Sequence, residues 1–414
     1  LKPVSIPFII VRDNHQKKEQ PMEQERFLSR REFTKVLGLG AAGLSALSRA
    51  DAVENEPFAI VHGPVAQSPG AGEVNITWHT NRPAVARVLY GYDGALTRTA
   101  FTSRDGLVPN DSTCHAVRLT GLTPGRPVQY KLVAQEFKRY VTPYVVRFGD
   151  TVESDVFACA PLDPHKESFS FLMWNDIHDQ SGMLKEMFDD ADWDGVDFVV
   201  LNGDIINDPV SEQQIFNAFY DVCAERFGAR LPMVFVRGNH ETRGGLARRL
   251  AEYTPGRDGR PYYSFDHGAA HVAALDSGED KPDGNTEYAG LVDFAPFREA
   301  QTGWLQADLE SDASRRARWR IMLSHIPIPL APDNCFGAQE VGRLWRPLAN
   351  AAGAHLWLSG HNHRFFAATL PGDTFHTVIN PPDATVRVDA SPETLAVTVV
   401  QKGGKILHQQ TITA

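Results

Sequence analysis

Val234-Phe-Val-Arg-Gly-Asn-His-Glu-Thr242 is the stretch from which the fold and the chemistry are read. It opens as a β-branched and aromatic run, the end of a buried strand. It then breaks at Gly238 into Asn239, His240 and Glu241. Open α/β sheets carry their chemistry in polar clusters of this kind, just past the ends of apolar strands. Gly238 lets the chain approach an ion closely. Asn239 offers a neutral oxygen, and His240 can carry a proton near neutral pH. Alone, the segment also fits an ordinary turn, so its meaning depends on partners elsewhere.

Those partners follow from residue 168 onward, where strands and helices alternate. Residues 169–174 form a predicted strand running into Asn175-Asp176-Ile177-His178. Residues 197–201 run into Asn202-Gly203-Asp204, and 233–236 into the opening motif. Residues 319–323 run into Ser324-His325, and 355–358 into Ser359-Gly360-His361-Asn362-His363. Predicted helices cover 182–188, 214–227, 304–309 and 341–352. Residues 277–297 read as a long loop near the site that selects substrate. Residues 385–412 read as strands completing the second sheet, with Gly403-Gly404 as a hairpin turn. Near-continuous apolar strands imply a sheet covered on both faces.

A single Asp-x-His or Gly-Asp means little, because loops are full of both. Five strand ends in order, three with Gly beside the polar residue, do not arise by accident. The candidates are Asp176, His178, Asp204, Asn239, His325, His361 and His363. Mixed oxygen and imidazole sets suit divalent transition metals, and the lack of thiolates argues against a closed structural zinc site. Asp176 and His178, like His361 and His363, are two apart and can face one ion when extended. A bend would instead send them to two ions. Two metals a few Å apart need a bridging anion, and Asp204 is the natural one. Two divalent ions, two carboxylates and a hydroxide leave about +1, enough to hold a phosphate.

Before this region, residues 57–148 show short β runs between turn signals. Val74, Ile76 and Trp78 alternate with Asn75, Thr77 and His79, the period of a half-buried strand. This spacing indicates a β-sandwich. Leu119-Thr-Gly-Leu-Thr-Pro-Gly-Arg-Pro-Val-Gln-Tyr130 resembles the corner segment of fibronectin type III-like domains. The resemblance makes Tyr130 structural, its hydroxyl bonded back to backbone at the corner. His62, His79 and His115 read as surface or satisfied sandwich residues. The resulting division is a leader over 1–52, a sandwich over 57–150, a linker over 151–164 and an α/β domain over 165–414.

The leader holds Ser29-Arg-Arg-Glu-Phe-Thr-Lys35, then a short Gly- and Ala-rich apolar run to Leu47 and a small-x-small site at Ala50-Asp51-Ala52. It resembles a twin-arginine export signal, implying a periplasmic or extracellular protein. The run is shorter than the roughly 20 residues a membrane span needs, so no transmembrane segment is expected in the mature chain. Met22 is the expected natural start, with 1–21 upstream of it. The chain has 414 residues, 42% of them hydrophobic, and a formal net charge of −10. That balance argues against a broad nucleic-acid-binding face. Cys114, Cys159, Cys223 and Cys335 are scattered with no C-x-x-C pair, so a redox or zinc-finger motif is not expected.

Together Asp176-x-His178, Gly203-Asp204, Gly238-Asn239-His240-Glu241, His325 and Gly360-His361-x-His363 resemble the calcineurin-like metallophosphoesterase superfamily. The resemblance implies an α/β four-layer sandwich, two mixed sheets flanked by helices, behind an N-terminal all-β sandwich. It implies two transition metal ions, Mn, Fe or Zn. One would take Asp176, His178, Asp204 and His363. The other would take Asp204, Asn239, His325 and His361. A metal-bound hydroxide would hydrolyse a small phosphate ester, with His240 and Asp204 catalytic. Asn175, Arg243 and Arg364 are weaker candidates for binding substrate, and Glu241 is expected to brace its loop. A sandwich ahead of the catalytic domain resembles the purple acid phosphatases. Those have Gly at His178 and a Tyr metal ligand at Asn207, so no iron-tyrosinate centre is expected here. The alternatives are a phosphodiesterase on cyclic nucleotide, lipid head group or nucleic acid, and a non-catalytic surface binding protein.

Overall fold

Strand Ile60–Gly70 joins the two halves of the chain. It pairs antiparallel with Glu73–Thr80 and, through Gln67 opposite Met233, parallel with Met233–Val236. The computed structural model describes residues 56–331 and 334–414, so the leader lies outside the described residues. The pairing makes one nine-stranded sheet. Its order is Lys405–Thr413, Thr394–Gln401, Ala384–Ala390, Phe169–Trp174, Val196–Asn202, Met233–Val236, Ile60–Gly70, Glu73–Thr80 and Cys114–Leu119. The last three strands also form one face of the expected β-sandwich. The other face is a four-stranded sheet of Ala95–Ala100, Ala84–Tyr92, Val128–Thr142 and Val145–Cys159. Ile76, Trp78, Val117, Tyr130 and Leu132 fill the space between.

A six-stranded sheet packs on the α/β part of the first sheet. It contains Ala270–Leu275, Trp319–Ser324 and Leu356–Ser359, parallel to one another. Phe171, Phe198 and Val234 from one sheet meet Val272, Ile321 and Leu356 from the other. These strands are apolar on both faces because helices cover the outside. On the first sheet, Ser181–Asp190 buries Leu184, Met187 and Phe188, the i, i+3, i+4 stripe of an amphipathic helix. On the second, Phe294–Leu309 and Phe336–Leu344 bury Leu305, Leu309 and Val341. The four-layer expectation therefore holds, with an N-terminal strand-rich region before it.

Four details differ from the sequence reading. The C-terminal strands extend the first sheet, not the second: Ala384–Ala390 pairs antiparallel with Phe169–Trp174. Residues 151–159, expected as linker, are the second half of strand Val145–Cys159, whose Gly149 and charged residues hid its β pattern. The helix expected at 304 starts at Phe294, inside the expected loop. Pro296 is tolerated in its first turn, and the Asp283 carboxylate accepts from the Phe294 and Ala295 amides at 2.9 and 2.8 Å. The Tyr130 hydroxyl donates to the Ala229 carbonyl at 2.8 Å, across to the α/β part and not within the sandwich corner. His62 and His79 sit at the same junction, stacked on Phe216 and Tyr253. All four cysteines are free.

Candidate metal centre

The five polar strand ends come together because their strands run the same way. Phe169–Trp174, Val196–Asn202 and Met233–Val236 are neighbours and parallel, as are Trp319–Ser324 and Leu356–Ser359. The C-terminal edges of both sheets thus present their loops to one place, as open α/β sheets do.

There the side chains form two groups around Asp204. In the first, His363 Nε2 is 3.2 Å from Asp176 Oδ1 and 3.1 Å from His178 Nε2. In the second, His325 Nε2 lies 3.0 Å from Asp204 Oδ2, and Asn239 Oδ1 lies 3.1 Å from His361 Nδ1. Asp204 Oδ2 is also 3.9 Å from His178 Nε2 and 4.0 Å from His240 Nε2. The sequence-derived set is therefore gathered in space, with Asp204 between the two groups and His240 beside it. Asp176–His178–His363 and Asp204–His325–His361 each have ligand atoms close enough to share one ion.

The backbone is bent to achieve this. Asp176, His178, Asp204, His361 and His363 all have positive φ, from 47° to 72°. Non-glycine residues seldom adopt that region, and such strain concentrates where surrounding structure imposes it. The glycines beside them are needed for close approach. A Cβ on Gly203, itself at φ +82°, would meet the His325 ring at 2.5 Å. One on Gly238 would collide with the Asp204 carboxylate.

Each carboxylate is fixed by one oxygen and turns the other toward the imidazoles of the centre. Asp176 Oδ2 accepts from Asn175 Nδ2 at 2.6 Å and from the His361 amide at 2.8 Å. Asp176 Oδ1 is buried and faces imidazole nitrogens, His363 Nε2 at 3.2 Å and His325 Nε2 at 3.8 Å. Asp204 Oδ1 accepts from the His240 amide at 2.9 Å, leaving Oδ2 toward the centre. His325 Nδ1 donates to the Asn202 carbonyl at 2.8 Å, which fixes the ring and turns Nε2 inward onto Asp204 Oδ2. Two buried carboxylate oxygens whose near neighbours are imidazole nitrogens, at 3.0 to 3.8 Å, fit a bound cation.

Electrostatics agree. Burial holds the His178 imidazole below its ordinary range. Burial and then His325 push His361 down to about 4. Both are thus neutral, the form that binds metal. Burial opposes charge on His325 as well, but Asp204 and Asp176 outweigh it and lift its pKa to about 10. Burial would raise the Asp204 carboxyl, yet His325 and His240 hold it well below the usual carboxylate range. In this arrangement a proton on His325 supplies the positive charge that a metal would otherwise bring.

Glu241 is buried, and its carboxylate accepts four backbone N–H groups. Oε2 takes those of Asp204 and Gly238, both at 2.8 Å, and Oε1 takes those of Ile205 and Ile206 at 2.7 and 3.0 Å. It ties the Asp204 loop to the Asn239 loop. The weaker candidates separate. Asn175 is buried and orients Asp176 while bonding to the Asn380 carbonyl at 2.9 Å, so it shapes the site from behind. Arg243 is gripped by Glu279 and Asp280 through Nε and Nη2, and its Nη1 lies 3.2 Å from His240 Nε2. Arg364 is exposed, next to His363.

Three contributors escaped the sequence reading. Asn207, noted only for the Tyr it replaces, has Oδ1 3.3 Å from His178 Nδ1 and its carbonyl 2.7 Å from His240 Nδ1. Asn202 reaches across to the second sheet, donating to the Ser324 and Leu358 carbonyls at 3.2 and 3.4 Å. Glu279, in the expected loop, is buried and holds Arg243. Asn202 could have been noticed as an amide at a strand end. Cys335 Sγ also lies 3.5 Å from His361 Nε2.

Residues 169–365 match the model of the calcineurin-like phosphoesterase family. The purple acid phosphatase PPD1 from yellow lupin (Lupinus luteus) seeds superposes with a TM-score of 0.60 at 16% identity, over 87% of this chain and 75% of that one. PhoD superposes with a TM-score of 0.54 at 14% identity, over 84% of this chain and 92% of its own. At these identities the two structures establish a shared fold. No curated protein sequence matches the chain.

Proposed function

From residues 169–365 being a calcineurin-like phosphoesterase domain, we propose that the protein hydrolyses a small phosphate ester at a two-metal centre. The observation carrying this reading is the buried convergence of Asp204 Oδ2 and Asp176 Oδ1 on His325 Nε2, at 3.0 and 3.8 Å. One ion would be held by Asp176, His178, Asp204 and His363, and the other by Asp204, Asn239, His325 and His361. When bound, such ions concentrate positive charge for a phosphoryl group and acidify water at neutral pH.

The chain's own groups do the rest. Asp204 bridges the two positions and is itself fixed by the His240 amide. His240 is oriented by the Asn207 carbonyl through Nδ1, so Nε2 faces the centre. From there it steadies a phosphoryl oxygen or passes a proton to the leaving group. Arg243, held by Glu279 through Nε and Nη2, sets Nη1 beside that nitrogen and adds a fixed positive charge for the same oxygens. Asn207 in place of a tyrosine leaves no iron-tyrosinate colour. The likeness of residues 29–52 to a twin-arginine leader supports export from the cytoplasm as part of this reading. Among the described residues no helix is long and apolar enough to cross a membrane.

The test is a side-by-side assay of a phosphomonoester and a phosphodiester with Mn, Zn and Fe. Metal-dependent turnover of the monoester above the diester supports the reading. Faster diester turnover replaces it with a phosphodiesterase, and no turnover of either overturns it.

A further inference from the structure

Residues 137–148 read Phe-Lys-Arg-Tyr-Val-Thr-Pro-Tyr-Val-Val-Arg-Phe, with three cations, four aromatics and no acid, in a chain of net charge −10. They form the far end of the hairpin made by Val128–Thr142 and Val145–Cys159. Strand Ala84–Tyr92 flanks the hairpin only as far as Glu136, opposite Ala84. Beyond that point the two strands have no third neighbour, because Val145–Cys159 is the edge of its sheet. The arm is a two-stranded ribbon, tied to the rest of the sandwich by Asn110 Nδ2, which donates to the Tyr140 hydroxyl at 2.8 Å.

Its surface is unusual in two ways. The tip is apolar and open, with Tyr144 95%, Tyr140 57%, Val141 53% and Val145 50% exposed. Behind the tip, Arg139 lies directly opposite Arg147. Like charges in that position destabilise a strand pair. Neither arginine has an ion pair or hydrogen bond among the described residues. Lys138 differs in being paired with Glu136 at 2.8 Å.

We propose that this arm docks on an anionic lipid surface, its tip entering the interface and Arg139 and Arg147 meeting headgroup phosphates. Strands rise about 3.3 Å per residue, so the arginines stand roughly 10–13 Å behind Pro143 and Tyr144. That is deep enough for the tip to pass the headgroup layer and reach the acyl boundary while the arginines stay among phosphates. Tyrosine, with an apolar ring and a polar end, suits that depth. Charge favours lipid over a second copy: two arms meeting tip to tip would bring four unpaired arginines together. Anionic phosphates instead relieve the Arg139–Arg147 repulsion within one arm.

The test is co-sedimentation of the full chain with two vesicle types at low salt. One is phosphatidylcholine alone; the other is two parts phosphatidylcholine to one part phosphatidylglycerol. Binding to the second only is expected. Arg139→Gln should lower the partition coefficient about fivefold, and Arg139→Gln with Arg147→Gln about 25-fold, at roughly one such factor per basic residue near a charged surface. Tyr144→Ser should also weaken it. No variant should melt below the wild type, since these side chains pack on nothing and losing an arginine relieves the Arg139–Arg147 repulsion. The variants differ only in the arm, so vesicle binding driven by residues elsewhere would stay equal across them and overturn the proposal. It is equally overturned if neither vesicle binds. Binding to duplex DNA in place of vesicles would also overturn it, as would a dimer in solution that Tyr144→Ser dissolves.

Discussion

Replacing Glu241 by glutamine changes one oxygen to an amino group and leaves shape and volume almost untouched. In the wild type both oxygens are occupied: Oε2 by the amides of Asp204 and Gly238, Oε1 by those of Ile205 and Ile206. Burial, with Asp204 beside it, pushes the Glu241 carboxyl up to about 7, opposed by these amide donors. An amide side chain can accept at one oxygen only. Its NH2 must then face two backbone N–H groups that have no water to turn to. Each unsatisfied buried donor costs about 1–3 kcal/mol, so the change should cost roughly 2–6 kcal/mol. At about 2 °C per kcal/mol for a domain of this size, Tm should fall by on the order of 5–10 °C. Both disturbed pairs include a loop carrying Asp204, so metal affinity should fall with stability. Differential scanning calorimetry and metal titration of wild type and Glu241→Gln measure the two effects. An unchanged Tm with unchanged metal affinity would refute the bracing role.

Two other outcomes follow from separate parts of the molecule. His240→Ala should retain metal but lower kcat by roughly 10²-fold or more, the usual size of an acid–base contribution; equal loss of metal would make His240 a ligand instead. His271 bonds Asp266 and Asp308 at 2.8 and 2.9 Å. Burial opposes its charge, but the two carboxylates outweigh burial and raise its pKa to about 9. A raised folded-state pKa gives stability that is complete below the unfolded value near 6.5 and lost as pH rises through 9. Denaturant unfolding should therefore show up to about 3 kcal/mol of wild-type stability vanishing across that window, with His271→Asn flat there. A parallel pair of curves would refute it.

The polar strand ends were legible because each follows a short apolar run, and local order along the chain is what a sequence displays. Their meeting was legible too, since parallel neighbours place their C-terminal ends on one edge. The fusion of the sandwich to the α/β sheet was not. It depends on Gln67 pairing with Met233 across a long stretch of chain, and parallel pairing leaves no local mark. The same holds for Tyr130, whose type is visible but whose partner, Ala229, is not. Asn207 was seen only as a missing tyrosine because its contacts with His178 and His240 arise from the turn after Asp204. The helix at Phe294 was missed because its cap, Asp283, stands 11 residues before it.

The central claim is that Asp204 holds two metal ions together. Elemental analysis of the purified chain, beside Asp204→Asn, tests it most directly. Close to two transition metal ions per wild-type chain are expected, with loss of both metal and turnover in the variant. A metal-free wild-type chain that still hydrolyses a phosphate ester, or an Asp204→Asn protein with full metal and full activity, would contradict it.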